Sequence, residues 1–294
     1  MTDVSGHTES VGLPEAVDVT EQAAHLLRAL REHSPLVHNI TNHVATNFSA
    51  NALLAIGAAP AMVDTAEEAG VFAPMASGLL INLGTLSHQQ RDAGRAAVSA
   101  ASEAGTPWVL DPVAIGALPL RTGFAAELLA AGPTAVRGNA SEIIALAGAG
   151  AGGRGVDSAD DTDTAAPVAA ALARETSMVV AVSGARDLIT DGSAAIRVDN
   201  GHPLLTRITG AGCALGSIIA AMLGARGTTS ALTAVAAAHV VYGIAAEQAA
   251  TDAHGPGTFL PAFLDALAGI TPEQVIEQAR VEVLAAPAPD PQEA

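Results

Sequence analysis

Short apolar runs recur along the chain, each closing on a glycine or polar cluster before a stretch with helical spacing takes over. Apolar runs bounded by turn residues read as buried strands, and apolar positions at i, i+3 and i+4 read as helices. An amphipathic helix is expected over 23–32. Pro35-Leu36-Val37-His38 reads as a strand entering the polar loop Asn39-Ile40-Thr41-Asn42-His43, ahead of a helix over 44–56. Gly57 to Val63 turns that helix into a short strand. Ser77 to Leu86 is a buried strand ending in a polar loop, followed by a helix over 89–104. Trp108-Val109-Leu110-Asp111 repeats the pattern with a carboxylate at the strand's end, and Leu128 to Ala131 closes the next helix. Thr134 to Glu142 is again strand, loop, helix, and 177–184 is the clearest strand. Segments 194–198 and 203–206 read as shorter strands suited to antiparallel pairing. Helices are expected over 214–223, over 229–248, over 258–267 and over 272–284.

Strands alternating with helices predict an α/β domain with a mainly parallel central sheet and helices on both faces. Ligands of such sheets sit outside the carboxyl ends of the strands. That rule gathers Asp111, Arg137, Asn139, Glu142, Ser183 and the turn at Gly210 on one rim. Residues 1–22 read as a disordered tail, 23–284 as one domain and 285–294 as a flexible tail.

The turn Ile208-Thr209-Gly210-Ala211-Gly212-Cys213 precedes the apolar run Ala214 to Leu223. The first amides of a helix lack internal partners, and the aligned peptide dipoles favour an anion there. The same field is expected to stabilise a thiolate at Cys213, below the usual value of about 8.5. This turn therefore reads either as a cradle for a transferring phosphate with Cys213 facing the acceptor hydroxyl, or as a buried cysteine in a tight turn.

Composition narrows the partners. The 294 residues carry 30 acidic and 13 basic side chains, a formal net charge of −17, which argues against nucleic acid and anionic membrane surfaces. An anionic ligand would have to be held by local groups. One cysteine excludes an internal disulfide or a multi-cysteine zinc site and fits a reducing, cytoplasmic setting. The N-terminal segment lacks the basic and apolar parts of a signal peptide, and no apolar run is long enough to span a bilayer. The spacing of His38 and His43 matches no standard zinc pattern. Met62 is either core filler or a flexible ligand wall. The run 148–153 has the glycine spacing of a dinucleotide fingerprint, but a helix precedes it and an acidic loop follows, so it reads as a linker.

Several segments together resemble the hydroxyethylthiazole kinase family of the ribokinase-like superfamily, over about Leu26 to Ala268. They are His38-Asn39-Ile40-Thr41-Asn42, Asn82 to Leu86, Leu110-Asp111-Pro112-Val113, Arg137 to Glu142, Gly155 to Ser158, Asp187 to Gly192, Asn200 to Pro203 and Thr209 to Cys213. The resemblance implies transfer of a phosphoryl group from ATP, with Mg2+, to the primary hydroxyl of 4-methyl-5-(2-hydroxyethyl)thiazole by a homotrimer. It implies that Cys213 faces the reacting hydroxyl, that Met62 and Gly210 contact the thiazole, and that Arg137 and Ser183 contact ATP. Asp111 and Glu142 take the positions of the acidic pair near magnesium, with Asn139 beside them. Ala211 and Ser183 stand where the family commonly has threonine. Another ribokinase-like kinase of a small alcohol, such as a hydroxymethylpyrimidine, is the alternative.

Overall fold

The structure is a computed structural model that describes residues 15–148 and 161–286. Its nine strands are β1 (Leu36–Ile40), β2 (Ala59–Ala61), β3 (Gly78–Asn82), β4 (Trp108–Asp111), β5 (Ala135–Asn139), β6 (Val179–Ser183), β7 (Asp187–Thr190), β8 (Ala194–Val198) and β9 (Val281–Ala285). They form one sheet in the order β2-β1-β3-β4-β5-β6-β7-β8-β9. β1 to β6 pair in parallel, and β6 to β9 pair antiparallel. The expected α/β architecture is therefore present, with an antiparallel edge added to a parallel core.

Both faces of the sheet are covered because its central strands are apolar on both sides. Leu80, Val109, Ala135 and Ala181 pack under α1 (Ala16–His33), α2 (Thr46–Ile56), α8 (Ala211–Ala225), α9 (Ala231–Asp252) and α10 (Pro256–Gly269). Leu79, Ile81, Trp108, Leu110, Val136 and Val180 alternate with them and face α3 (Ala66–Phe72), α4 (His88–Ala104), α5 (Pro119–Ala130), α6 (Ala140–Leu146) and α7 (Thr162–Thr176). A two-residue side-chain period splits one run between two cores in this way. α8 is apolar nearly all round because the sheet lies on one side of it and α9 on the other. Its Ile218, Ile219, Met222 and Leu223 are buried, each stabilising the fold by about 1.5–3 kcal/mol relative to exposure. At Gly78 a Cβ would lie 2.2 Å from the Ala220 carbonyl oxygen, so the absent side chain lets α8 rest on β3.

α3, α7 and β7 were not anticipated from the sequence, and three of the expected elements take another form. α1 begins at Ala16 rather than Ala23, inside the stretch read as a tail, because Glu15 and Asp18 form a reciprocal capping pair and Val19 is already buried. Residues 203–206 are not a strand but part of a 3-10 turn, Pro203–Arg207, opened by His202 accepting from the Leu204 amide. The helix expected over 272–284 is instead a short α11 (Pro272–Gln278) followed by β9. Apart from Gly148, the glycine run 148–153 lies outside the described residues, as does the 155–158 motif. No helix among the described residues is long and apolar enough to cross a membrane.

Candidate active site

The connection leaving β1 runs to β2 on one side, whereas β3 to β6 extend the sheet on the other. Loops that diverge at such a reversal leave a crevice at the carboxyl ends of the strands. Three segments meet there: the loop after β1, the loop after β3 and the first turn of α8.

Gly210 is the N-cap of α8 with φ 83°, a left-handed conformation that glycine adopts without a Cβ penalty. A Cβ there would also lie 3.1 Å from Ala45 Cβ at the start of α2. The Ala214 amide makes a helical bond to the Gly210 carbonyl at 2.9 Å, and the amides before it have no intrahelical partner. The buried Tyr242 hydroxyl of α9 donates to the Ala211 carbonyl at 2.7 Å and pins this turn. Burial raises the Tyr242 pKa well above its ordinary value, so the phenol stays a donor.

The Arg137 guanidinium lies against the same turn. A Cβ on Gly212 would come within 2.5 Å of its Nη1 and 2.8 Å of its Nη2. Arg137 Nε donates to Ser183 Oγ at 3.0 Å, and Nη1 is 3.9 Å from Asp111 Oδ1. Neither Nη group has a hydrogen-bond partner among the described residues, which leaves both free for an anionic ligand. Burial lowers the Arg137 pKa, but Asp111, Glu142, Cys213 and Asp187 together outweigh it and raise it above the ordinary value. Asp187 also shapes the Ser183 turn: its Oδ1 accepts from the Gly184 amide at 2.8 Å, and its Oδ2 pairs with His239 Nδ1 at 2.6 Å.

Asp111 is fully buried at the end of β4. Its Oδ2 accepts from Asn82 Nδ2 at 2.7 Å, while its Oδ1 has no hydrogen-bond partner. Burial pushes the carboxyl up to about 6, with Arg137 and Asn82 opposing and Glu142 adding to the rise. Glu142 is the third residue of α6. Its Oε2 accepts from the Asn139 amide and its Oε1 from the Ala114 amide, both at 2.9 Å. The carboxylate therefore closes a capping box with Asn139 and ties the loop after β4 to α6. Asn139 is the reciprocal cap, accepting from the Glu142 amide at 2.8 Å.

The field expected to stabilise a Cys213 thiolate is outweighed. Burial and the Asp111 charge push the thiol up to about 11, with Asn42, Asn82 and Arg137 only partly opposing. Cys213 is a thiol at neutral pH, a correction to the lowered value expected at a helix start. Its Sγ accepts from Asn42 Nδ2 at 3.2 Å.

Asp111, Glu142, Arg137, Ser183, Gly210 and Cys213 thus converge on one rim, as the strand-end rule implied. Met62 is half-buried just after β2. Next to it, the Val63 carbonyl is 2.7 Å from His38 Nε2, so His38 is a buried core histidine, its pKa lowered by burial. His43 is exposed, and no group of three or more metal-ligating side chains occurs among the described residues. Asn39 is buried in β1, where it donates to the Val37 carbonyl at 3.0 Å and its Oδ1 has no hydrogen-bond partner among the described residues. Reading from sequence gave no role to Asn82, His239 or Tyr242. The one available signal was a polar residue closing the apolar run of β3.

Comparison with known proteins agrees with this geometry. Residues 27–273 match the model of the hydroxyethylthiazole kinase family. A hydroxyethylthiazole kinase of Clavibacter sepedonicus is 56% identical over 262 residues, 89% of this chain and 94% of that protein. The solved hydroxyethylthiazole kinase structure from Pyrococcus horikoshii superposes with a TM-score of 0.81 at 40% identity, over 89% of this chain and 98% of that one. A ribokinase-like superfamily protein from Enterococcus faecalis shares the fold, with a TM-score of 0.58 at 13% identity over 85% of this chain and 93% of that one.

Proposed function

The chain belongs to the hydroxyethylthiazole kinase family, and from that premise we propose how its residues move a phosphoryl group from ATP to the primary hydroxyl of 4-methyl-5-(2-hydroxyethyl)thiazole, a step of thiamine biosynthesis and salvage. The observation that carries the reading is the Arg137 guanidinium lying on the first turn of α8 at Gly212, the residue immediately before Cys213. A loose phosphoryl transfer asks for positioning and charge neutralisation more than for covalent chemistry. The unpaired amides of the Gly210–Gly212 turn hold the moving oxygens. Arg137, oriented by Ser183, neutralises the triphosphate with its two free Nη groups. These local charges answer the repulsion expected from the net charge of −17.

The donor set fits Mg2+, because Asp111 Oδ1 is a buried carboxylate oxygen without a partner. Asp111 and Glu142 would hold it, Glu142 through the lone pairs its two backbone contacts leave free. When bound, the ion supplies charge neutralisation at the phosphates. Met62 and Gly210 contact the thiazole ring in this reading.

Cys213 faces the acceptor hydroxyl. With its pKa near 11, only about one thiol in 10⁴ is ionised at pH 7, so the base it offers is scarce. A proton that leaves late in a loose transition state tolerates a scarce base.

A homotrimer and a cytoplasmic setting complete the reading. The exposed Leu54, Val71 and Met75, on α2, on α3 and just after it, support subunit contact, and the lone cysteine suits a reducing compartment. Sedimentation giving an active, dilution-stable monomer would overturn the trimer. The activity is tested by an ATP-consumption screen over small primary alcohols with mass detection of the product. Phosphorylation of the thiazole alcohol at a higher kcat/KM than hydroxymethylpyrimidine is expected, and the reverse order refutes it.

A further inference from the structure

Two carboxamides lie between Asp111 and Cys213, and neither has a part in the transfer described above. Asn42 Oδ1 accepts from the amides of Val44 at 3.1 Å and Ala45 at 3.0 Å. Backbone amides cannot turn round, so the Asn42 amino group must face the other way. It donates to Asn82 Oδ1 at 2.9 Å and to Cys213 Sγ at 3.2 Å. Asn82 Oδ1 also accepts from the Gly84 amide at 3.0 Å, which directs its own amino group to Asp111 Oδ2. Three fixed backbone donors thus set the direction of both side chains. A flip of Asn42 would set its NH₂ against two N–H groups and leave buried donors unpaired.

The surrounding loops hold this arrangement tightly. A Cβ on Gly84 would fall 2.7–2.9 Å from the Asn42 side chain. Thr85 Oγ1 accepts from the His43 amide at 3.1 Å, and Gln90 Nε2 donates to the Thr41 carbonyl at 2.8 Å. The loop after β3 therefore clamps the loop after β1. The Cys213 sulfur receives a hydrogen from Asn42, so its own hydrogen cannot point there.

We propose that Asn42, held by Asn82 and Gly84, is a positioning residue that aims the Cys213 sulfur at the reacting hydroxyl. The proposal rests on the reading that Cys213 faces that hydroxyl. The plainer role of Asn42, capping the turn into α2, needs only its Oδ1. Asn42→Asp separates the two roles, because it keeps that oxygen and removes both donors.

The purified full chain is assayed as Asn42→Asp, Cys213→Ala and the double variant. Asn42→Asp is expected to lower kcat about tenfold, with KM for ATP within about twofold. In the Cys213→Ala background the same change should alter kcat by no more than about twofold, because the group it acts through is gone. Iodoacetamide alkylation, which reads Cys213 alone because it is the only cysteine, should slow about tenfold at fixed pH as the thiolate loses its donor. Should Asn42→Asp fail to fold, Gly84→Ala, which displaces Asn42 from outside, is expected to slow both turnover and alkylation. An unchanged alkylation rate, or a kcat loss equally large without Cys213, overturns the positioning role. Slowed alkylation with unchanged turnover instead overturns the catalytic cysteine on which the proposal rests.

Discussion

The pH profile of Cys213 variants tests the proton acceptor most directly. Burial and Asp111 push the thiol up to about 11. The thiolate fraction is then about 10⁻⁴ at pH 7 and about 10⁻² at pH 9, rising tenfold per pH unit. If the thiolate takes the alcohol proton, kcat at saturating ATP, thiazole alcohol and Mg2+ should climb through this range with a slope near one. Cys213→Ala removes the acceptor but leaves the amide turn and Arg137. It should cost about 10²-fold at pH 9, the low end for general bases, and less at pH 7. Cys213→Asp introduces an acceptor with an ordinary pKa of about 3.9. The burial that lifts Asp111 to about 6 would lift it too, and it would still be ionised at pH 7.5. Its profile should therefore be flat above about pH 7.5, with substantial activity at neutrality. The assay is initial-rate product formation by mass detection from pH 6.5 to 9.5, with melting temperatures measured in parallel. A flat wild-type profile matched by an equally active Cys213→Ala enzyme refutes the base assignment. So does a stable, active alanine variant beside an unfolded aspartate variant, the pattern of a small buried hydrophobe.

Arg137→Ala should raise KM for ATP about 10- to 100-fold, the loss of a charge-assisted contact of about 1.5–3 kcal/mol, and raise KM for the thiazole much less; equal effects in steady-state kinetics would mark a structural arginine. Glu142→Gln should weaken magnesium-dependent turnover, and excess Mg2+ should restore part of it. It should also lower the melting temperature, because a glutamine NH₂ must face either the Ala114 or the Asn139 amide, leaving a donor unpaired at about 1–3 kcal/mol. Asp111→Asn should abolish turnover yet alter stability in a pH-dependent way. A carboxyl whose folded pKa is raised to about 6 loses stability as pH climbs from about 4 to 6, by up to about 3 kcal/mol, and chemical denaturation should show that slope in wild type but not in Asp111→Asn.

The centre of the parallel core was legible because three of its strands share one pattern: β3, β4 and β6 are each an apolar run closed by a polar residue. The antiparallel edge obeys weaker rules. Val281-Glu282-Val283 alternates as a half-exposed strand does, but so short a run also continues the helical pattern of Pro272–Gln278. Its strand state is decided by partners far along the chain. The Arg280 amide donates to Asn200 Oδ1 at 2.7 Å, the Arg280 side chain pairs with Glu247, and β9 then pairs with β8. Likewise Pro203-Leu204-Leu205 is apolar enough for a strand, and its fate turns on one His202 side-chain contact.

At the site, legibility follows the range of the interaction. Asp111 and Ser183 close strands, Glu142 lies in the first turn of a helix and Arg137 stands two residues before the end of β5, so the sheet topology brings them to one rim. The Cys213 pKa could not be judged in that way. A helix-terminus field is worth about 0.3–1 kcal/mol, less than one pKa unit. The rise from 9.0 to about 11 corresponds to about 2.7 kcal/mol against the thiolate. Burial wins, and burial depends on what covers the turn rather than on the turn itself. The Asn42–Asn82 pair was still harder to read, because its meaning requires three segments at once. Asn82 lies beside Asp111 through the β3–β4 register, and Asn42 reaches both Asn82 and Cys213 only because the strand order reverses between β1 and β3. Spacing within any one segment carries no trace of that meeting. The reversal that opens a crevice for ligands therefore also brings the loop after β1 against Cys213, and the side chains most exposed to misreading from sequence are those whose only partners lie across it.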